Sequence, residues 1–389
     1  MSTDPLDANA LVSQARDSTG LDDFGEDSWS EGLERLVAAL REEGALNAIG
    51  VQVAAGEIRT YLANRLRVTE WRRSHRELGA ADVTPPIVII GQGRTGTTIL
   101  HDLLAQDPAH RVPLTWEVDR PLPPPETATY DSDPRIAEVQ TQLDLTELVI
   151  PGFKRMHPIG ARLAQECVRI TAADFRSMIF PTQYRVPSYA RWLLYEADMA
   201  PAYRWHRRFL EVLQSRHRRE RWVLKSPGHL WCLGALLAEY PNAVLVQTHR
   251  DPLRIVASIA SLLATLRRLA TDATSIAEGG AEFADYLLDG LDRSVTARED
   301  GTVPAKRVID VQFQAFLADP FACVREIYAR LGLELTREVE ARMRAFLAEN
   351  PQDKHGGHRY SLADTGLDAE KLRERARRYQ NYFAVPSEV

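Results

Sequence analysis

The chain has 389 residues, 44% of them hydrophobic and 26% charged, with a formal net charge of −6. This balance excludes a disordered or fibrous protein, and the length suits one main α/β domain with appendages. The negative charge offers no general attraction to nucleic acid or anionic membrane, so an anionic ligand would need a local basic site.

Residues 1–28 are rich in Asp, Ser and Gly and predict a flexible or loosely docked arm. Over residues 29–84 the pattern turns helical. Leu33, Leu36, Val37 and Leu40 recur at helical spacing, and Ile58, Tyr61, Leu62 and Leu66 repeat it, which predicts a helical N-terminal appendage. Thr84, Pro85 and Pro86 break any helix. Residues 87–90 are all β-branched and predict a strand buried on both faces, as in a parallel sheet. A glycine-rich segment at 91–98 follows and leads into Ile99, Leu100, Leu103 and Leu104 at helical spacing. Prolines between 121 and 125 open a largely helical insertion that ends near Arg221. Its aromatic stretch, from Phe180 to Trp205, is expected mainly in a core. Further strands are predicted at 222–224, 243–247 and 308–311, with helices at 230–239, after Pro252 and around 321–331. The alternation predicts an α/β fold: a P-loop-like, mainly parallel sheet flanked by helices over residues 85–389, with the helical insertion at about 121–221.

Cys167, Cys232 and Cys323 are odd in number, far apart and without metal-ligand spacing. They argue against a disulfide framework or zinc site, and a reducing cytoplasm is the expected compartment. The first residues lack a basic segment followed by an apolar run, and no uncharged apolar stretch approaches bilayer length. Neither export nor stable membrane insertion is predicted.

Strand, glycine-rich loop and helix in this order make a phosphate-binding unit. In Gly91-Gln-Gly-Arg-Thr-Gly-Thr-Thr98, Thr97 stands where a nucleoside triphosphatase carries its lysine. That lysine serves β- and γ-phosphates, and the hydroxyl after it holds magnesium, so this loop suits a single terminal phosphate group without metal. Backbone N–H groups from Arg94 to Thr98 and two threonine hydroxyls are its expected donors. A second constellation is Thr248-His-Arg-Asp-Pro252 with Ser258 eight residues beyond Arg250. An arginine at a strand end and a hydroxyl about two helical turns on can converge on another phosphate.

These motifs, with Trp116-Glu117 before Pro121, Leu224-Lys-Ser-Pro-Gly-His-Leu230, Asp319-Pro320 and Tyr328-Ala-Arg-Leu-Gly332, resemble those of the sulfotransferases that use 3′-phosphoadenosine 5′-phosphosulfate (PAPS), in particular a bacterial-type branch. The resemblance runs over roughly residues 30–385. It implies transfer of a sulfuryl group from PAPS to a hydroxyl acceptor by in-line displacement, leaving 3′-phosphoadenosine 5′-phosphate (PAP), without a metal. By the same resemblance Arg94, Thr95, Gly96, Thr97 and Thr98 hold the 5′-phosphosulfate, and Arg250 and Ser258 hold the 3′-phosphate. Arg359, in Lys354-His-Gly-Gly-His-Arg359, completes the nucleotide site. Compared with the cytosolic branch, Arg94 replaces a lysine, Ile99 a tryptophan and Phe313 a tyrosine.

Positioning and electrostatics dominate such a transfer, and Arg94 and Lys225 are the expected stabilisers of developing charge. Glu117 is the first candidate for the base, because related carbohydrate and tyrosyl-protein sulfotransferases place a glutamate shortly after the loop helix. His229, four residues beyond Lys225, is the second. His157 and Glu166 have no expected role beyond structure. The acceptor stays open between sterol, phenol, sugar, lipid and peptide. Two other classes share the motifs: a P-loop kinase or nucleoside triphosphatase, which needs the missing lysine, and a non-catalytic nucleotide-binding scaffold.

Overall fold

Residues 87–90 form the middle of a five-stranded sheet in which every pair is parallel. A computed structural model describes residues 4–80, 82–149, 160–350 and 361–388. Strands β1 (Pro86–Ile90), β2 (His110–Arg111), β3 (Arg221–Lys225), β4 (Val244–His249) and β5 (Val308–Gln312) lie in the order β2-β3-β1-β4-β5. Ile89 pairs with Lys225 and Ile90 with Gln247, so the carboxyl ends of β1, β3 and β4 finish side by side. The chain leaves β1 toward β2 and leaves the adjacent β4 toward β5, and connections that diverge in this way open a crevice at the carboxyl edge.

Alternate residues of β1 enter different layers. Val88 and Ile90 join the large core that includes the N-terminal and middle helices, whereas Ile87 and Ile89 join Leu100, Leu103, Leu104, Val324 and Met343. Both faces are therefore apolar, which explains the unbroken β-branched run. Edge strand β2 was not expected: it is two residues long, and His110 and Arg111 show no apolar alternation.

Residues 4–28 differ from the expected loose arm. Helix α1 (Ala8–Thr19) begins at Asp7, whose carboxylate accepts the Ala10 N–H, and stops at Gly20 in the left-handed region. It is followed by α2 (Ser28–Glu42) and α3 (Ala48–Ser74), which bury the apolar faces read from the sequence. Leu11 and Ala15 of α1 are buried, and α1 lies against α3. From α3 the buried Arg65 donates to the carbonyls of Phe24 and Glu26 and pairs with Asp174. The polar residues that suggested looseness act as caps and turn formers.

The loop after β1 runs into α4 (Thr97–Leu104), and α5 (Thr115–Asp119) opens the middle section. Phe180, Tyr184, Tyr189, Trp192, Tyr203 and Trp205 are buried in the core as expected, while Tyr195 is exposed. The helix expected at 230–239 is broken: Pro227 and Gly228 make a 3₁₀ turn, Pro227–Trp231, before the helix Leu233–Glu239. After β4 comes α6 (Pro252–Arg267), started by Asp251, which accepts the Leu253 N–H. Two further helices, Ile276–Glu299 and Ala369–Phe383, lie beside α6. None of the described helices is long and apolar enough to cross a membrane.

Burial holds His101, His206 and His229 down to about 3, with Lys225 adding to the effect on His101. In the unfolded chain such imidazoles titrate near 6.5, so below that pH the unfolded state takes up protons that the fold refuses. The folded values are depressed. Their stabilisation is therefore complete above about pH 6.5 and is lost as pH falls toward 3. We expect the urea midpoint to drop between pH 7.5 and pH 5, each histidine adding a slope of up to about 1.4 kcal/mol per pH unit, and His206→Gln to flatten the decline. A midpoint that held or rose over this range would contradict the assignment.

Candidate active site

Backbone conformation shapes the loop. Gly91 has φ 132° and Gly96 φ 88°; a Cβ on the first would collide with Thr248, and one on the second would lie 3.1 Å from the Phe313 ring. Arg94 also adopts a positive φ, 71°. The buried Thr95 hydroxyl donates to the Gln92 carbonyl at 2.7 Å and hydrogen-bonds the Thr248 hydroxyl at 2.6 Å, tying the loop to β4. Its side chain is thus spent inside the loop. Thr97 is buried and Thr98 partly exposed where α4 begins, and the first N–H groups of a helix have no intrahelical acceptor.

Lys225, at the end of β3, is 2% exposed. Its ammonium donates to Thr98 Oγ1 at 3.3 Å and pairs with Glu166, the residue before the helix Cys167–Thr171. A buried cation is thereby held at the mouth of the glycine-rich loop, where low dielectric strengthens its field.

On the other side, Arg94 Nε donates to Ser258 Oγ at 3.0 Å, and Arg250 Nη1 donates to the Arg94 carbonyl at 2.8 Å. Arg250 also lies over the Phe313 ring, 4.2 Å from its centroid, and its fork meets the Glu388 carboxylate at 3.2 Å. The structure therefore brings Arg94, Arg250 and Ser258 together. Arg94 groups with this pair, whereas Lys225 groups with Thr98. Arg359 and His157 lie outside the described residues.

Glu117 does not have the surroundings expected of a base. It is fully buried, Arg111 donates to its Oε1 at 2.7 Å, and Oε2 accepts the Leu114 N–H at 2.9 Å and the Tyr130 hydroxyl at 3.1 Å. Both of its oxygens are thus engaged inside the fold, by a cation and two donors. This glutamate locks the start of α5 to β2.

His229 is better placed. It is buried, Tyr203 Oη lies 2.7 Å from its Nδ1, and its Nε2 has no hydrogen-bond partner among the described residues. Tyr203 Oη also lies 3.2 Å from Cys232 Sγ, and Cys232 donates to the Gly228 carbonyl at 3.3 Å. With the Cys232 proton on the Gly228 carbonyl, the Tyr203 hydroxyl donates to Cys232 and accepts from His229 Nδ1–H, an arrangement that leaves Nε2 its lone pair. Burial keeps the ring neutral.

His229 borders a cavity of about 250 Å³. Leu193, Leu194, Met178, Met199 and Tyr203 supply apolar wall, and Tyr195 and Asp198 stand at the exposed rim. Cys167 and Ser226, the next residues after Glu166 and Lys225, also line it, so the cavity adjoins the Lys225 cluster.

Residues 85–337 match the model of the sulfotransferase family, well over half of the chain. The chain belongs to the PAPS-dependent sulfotransferase family. Among solved structures, this sulfotransferase resembles sulfotransferase STF9 from Mycobacterium avium at 32% identity and TM-score 0.89, over 98% of this chain and 97% of that one. Sulfotransferase STF1 from Mycobacterium tuberculosis H37Rv is 33% identical with TM-score 0.85, covering 96% of this chain and 99% of the other. A curated relative from Mycobacterium bovis, omega-hydroxy-beta-dihydromenaquinone-9 sulfotransferase Stf3, is 26% identical over 76% of this chain and 75% of its own. The enzyme thus carries out sulfuryl transfer with PAPS as donor, as the sequence resemblance implied. The kinase and scaffold alternatives are not favoured. The reading of the sequence missed Glu166, whose tie to Lys225 spans 59 positions, and the chain Tyr203–Cys232 that orients His229. No local pattern marks either one.

Proposed function

We propose that this sulfotransferase sulfates the hydroxyl of an apolar, lipid-like alcohol held in the cavity beside Lys225. The observation that carries the reading is the cavity itself: a largely apolar wall that ends at one unpartnered basic nitrogen, His229 Nε2. Such a site suits a substrate with an apolar body and a single polar reacting end. The menaquinone-derived alcohol named for the curated relative agrees with this class.

PAPS supplies an activated sulfuryl group, whose bond to the 5′-phosphate breaks as the acceptor oxygen bonds to sulfur. The loop residues fit it: the N–H groups at the start of α4 and the Thr98 hydroxyl receive the phosphate end, and Lys225 offsets the charge that grows there. Arg250, Ser258 and Arg94 hold the 3′-phosphate. His229 takes the acceptor's proton at Nε2, the negative charge of the bound donor offsetting the burial that keeps the free ring neutral, and Tyr203 holds the ring in the tautomer this needs. Glu166 positions Lys225.

An acceptor panel tests the proposal. With isotopically labelled PAPS and mass-spectrometric detection, kcat/KM should rise with the apolar length of primary alcohols and stay low for sugars and peptides. A preference for sugars or peptides would overturn it.

A further inference from the structure

Arg250 carries a carboxylate in the very position this reading gives to the 3′-phosphate. Arg250 Nε lies 3.2 Å from Glu388 Oε1, and Nη2 lies 3.2 Å from Oε2, a fork-to-fork pairing. Phosphate oxygens engage arginine in the same two-pronged way, so one guanidinium edge cannot serve both. Both side chains are largely buried, 14% and 13% exposed. The segment that carries Glu388 is held in place: its N–H donates to Asp251 at 2.6 Å, Val385 is buried, and Gln380 donates to the Val385 carbonyl at 3.2 Å. A second cation stands ready, since Arg254 Nε is 4.0 Å from Glu388 Oε2 and is a buried donor without a hydrogen-bond partner among the described residues.

We propose that Glu388 is the internal counter-ion of the 3′-phosphate site, displaced from Arg250 when a 3′-phosphorylated nucleotide binds and turning then to Arg254. Without nucleotide it neutralises a largely buried arginine that would otherwise be costly to enclose. With nucleotide it competes directly with the 3′-phosphate. It thereby lowers affinity for PAPS and PAP, and it leaves nucleotides that lack the 3′-phosphate unaffected. The inference rests on the assignment of Arg250 to the 3′-phosphate, and the test separates the two.

Calorimetry on the full chain would compare PAP with adenosine 5′-phosphate for the unmodified enzyme, Arg250→Ala and Glu388→Gln. Circular dichroism and the urea midpoint serve as the check that each variant is folded. Glu388→Gln should bind PAP about 10-fold more tightly and adenosine 5′-phosphate as before. Arg250→Ala should lose PAP affinity selectively. If Arg250→Ala is selective but Glu388→Gln binds PAP no better than the unmodified chain, the counter-ion role is wrong and the 3′-phosphate assignment stands. If Arg250→Ala weakens both ligands equally, the assignment itself fails and the proposal with it.

Discussion

Replacing Lys225 by methionine is expected to lower kcat by about 10²–10³-fold, the usual loss when one preorganised donor to developing charge is removed. Methionine roughly preserves the length of the buried stem but deletes the ammonium that reaches Thr98. Because the charge on the leaving phosphate grows mainly in the transition state, PAP affinity should fall far less than kcat. Lys225→Arg would not rescue fully, since a planar fork cannot reproduce a compact ammonium in a site with 2% exposure. Single-turnover rates with saturating PAPS, together with calorimetry of PAP, measure the two quantities separately. A near-normal kcat with greatly weakened PAP binding would make Lys225 a binding residue only.

The second large effect concerns the proton. His229→Gln should reduce kcat by about 10²–10⁴-fold and leave PAP affinity nearly unchanged, as expected for a base that acts in the transition state. Since burial holds the imidazole of the ligand-free enzyme down to about 3, its own titration should not depress kcat/KM between pH 8 and pH 5. Cys232 offers a finer probe. In Cys232→Ala the Tyr203 hydroxyl loses its sulfur acceptor and is free to donate to Nδ1, which would move the ring proton to Nε2 and lower kcat. Cys232→Ser keeps a hydroxyl that can accept from Tyr203 and donate to Gly228, so it should retain most activity. Glu117→Gln should behave differently from all of these. It leaves the Arg111 guanidinium buried without its carboxylate, a loss of about 3–5 kcal/mol in stability, while the folded fraction turns over at near-normal kcat. If folded Glu117→Gln were nearly inactive and His229→Gln active, the two roles would have to be exchanged.

These expectations divide along the same line as the residues that support them. Within the first motif everything needed was local: four consecutive β-branched residues, glycines where φ must be positive, and apolar spacing that starts a helix at Thr97. The α/β class, the strand–loop–helix unit and the sulfotransferase resemblance were legible for that reason. Arg250 and Ser258 were equally accessible, because a strand end and a following helix hold a fixed relation over eight residues.

Partners that meet only in the folded chain could not be read in this way. Glu117 and His229 are both single polar residues beside a motif, and their spacing along the chain says nothing about which one is saturated. Tertiary packing decided it: Arg111 and Tyr130 close around the glutamate, while Tyr203 holds one side of the histidine and leaves the other nitrogen unpartnered beside the cavity. The docking of residues 4–28 has the same origin, since α1 takes its stability from burying Leu11 and Ala15 on α3 rather than from its own propensity. The sequence by itself determined the glycine-rich loop between strand and helix, whose conformation resides in contiguous backbone. Only the tertiary structure decided which of the two candidate side chains borders the cavity and which carboxylate holds Arg250, because burial and pairing are made by residues 26 and 138 positions apart.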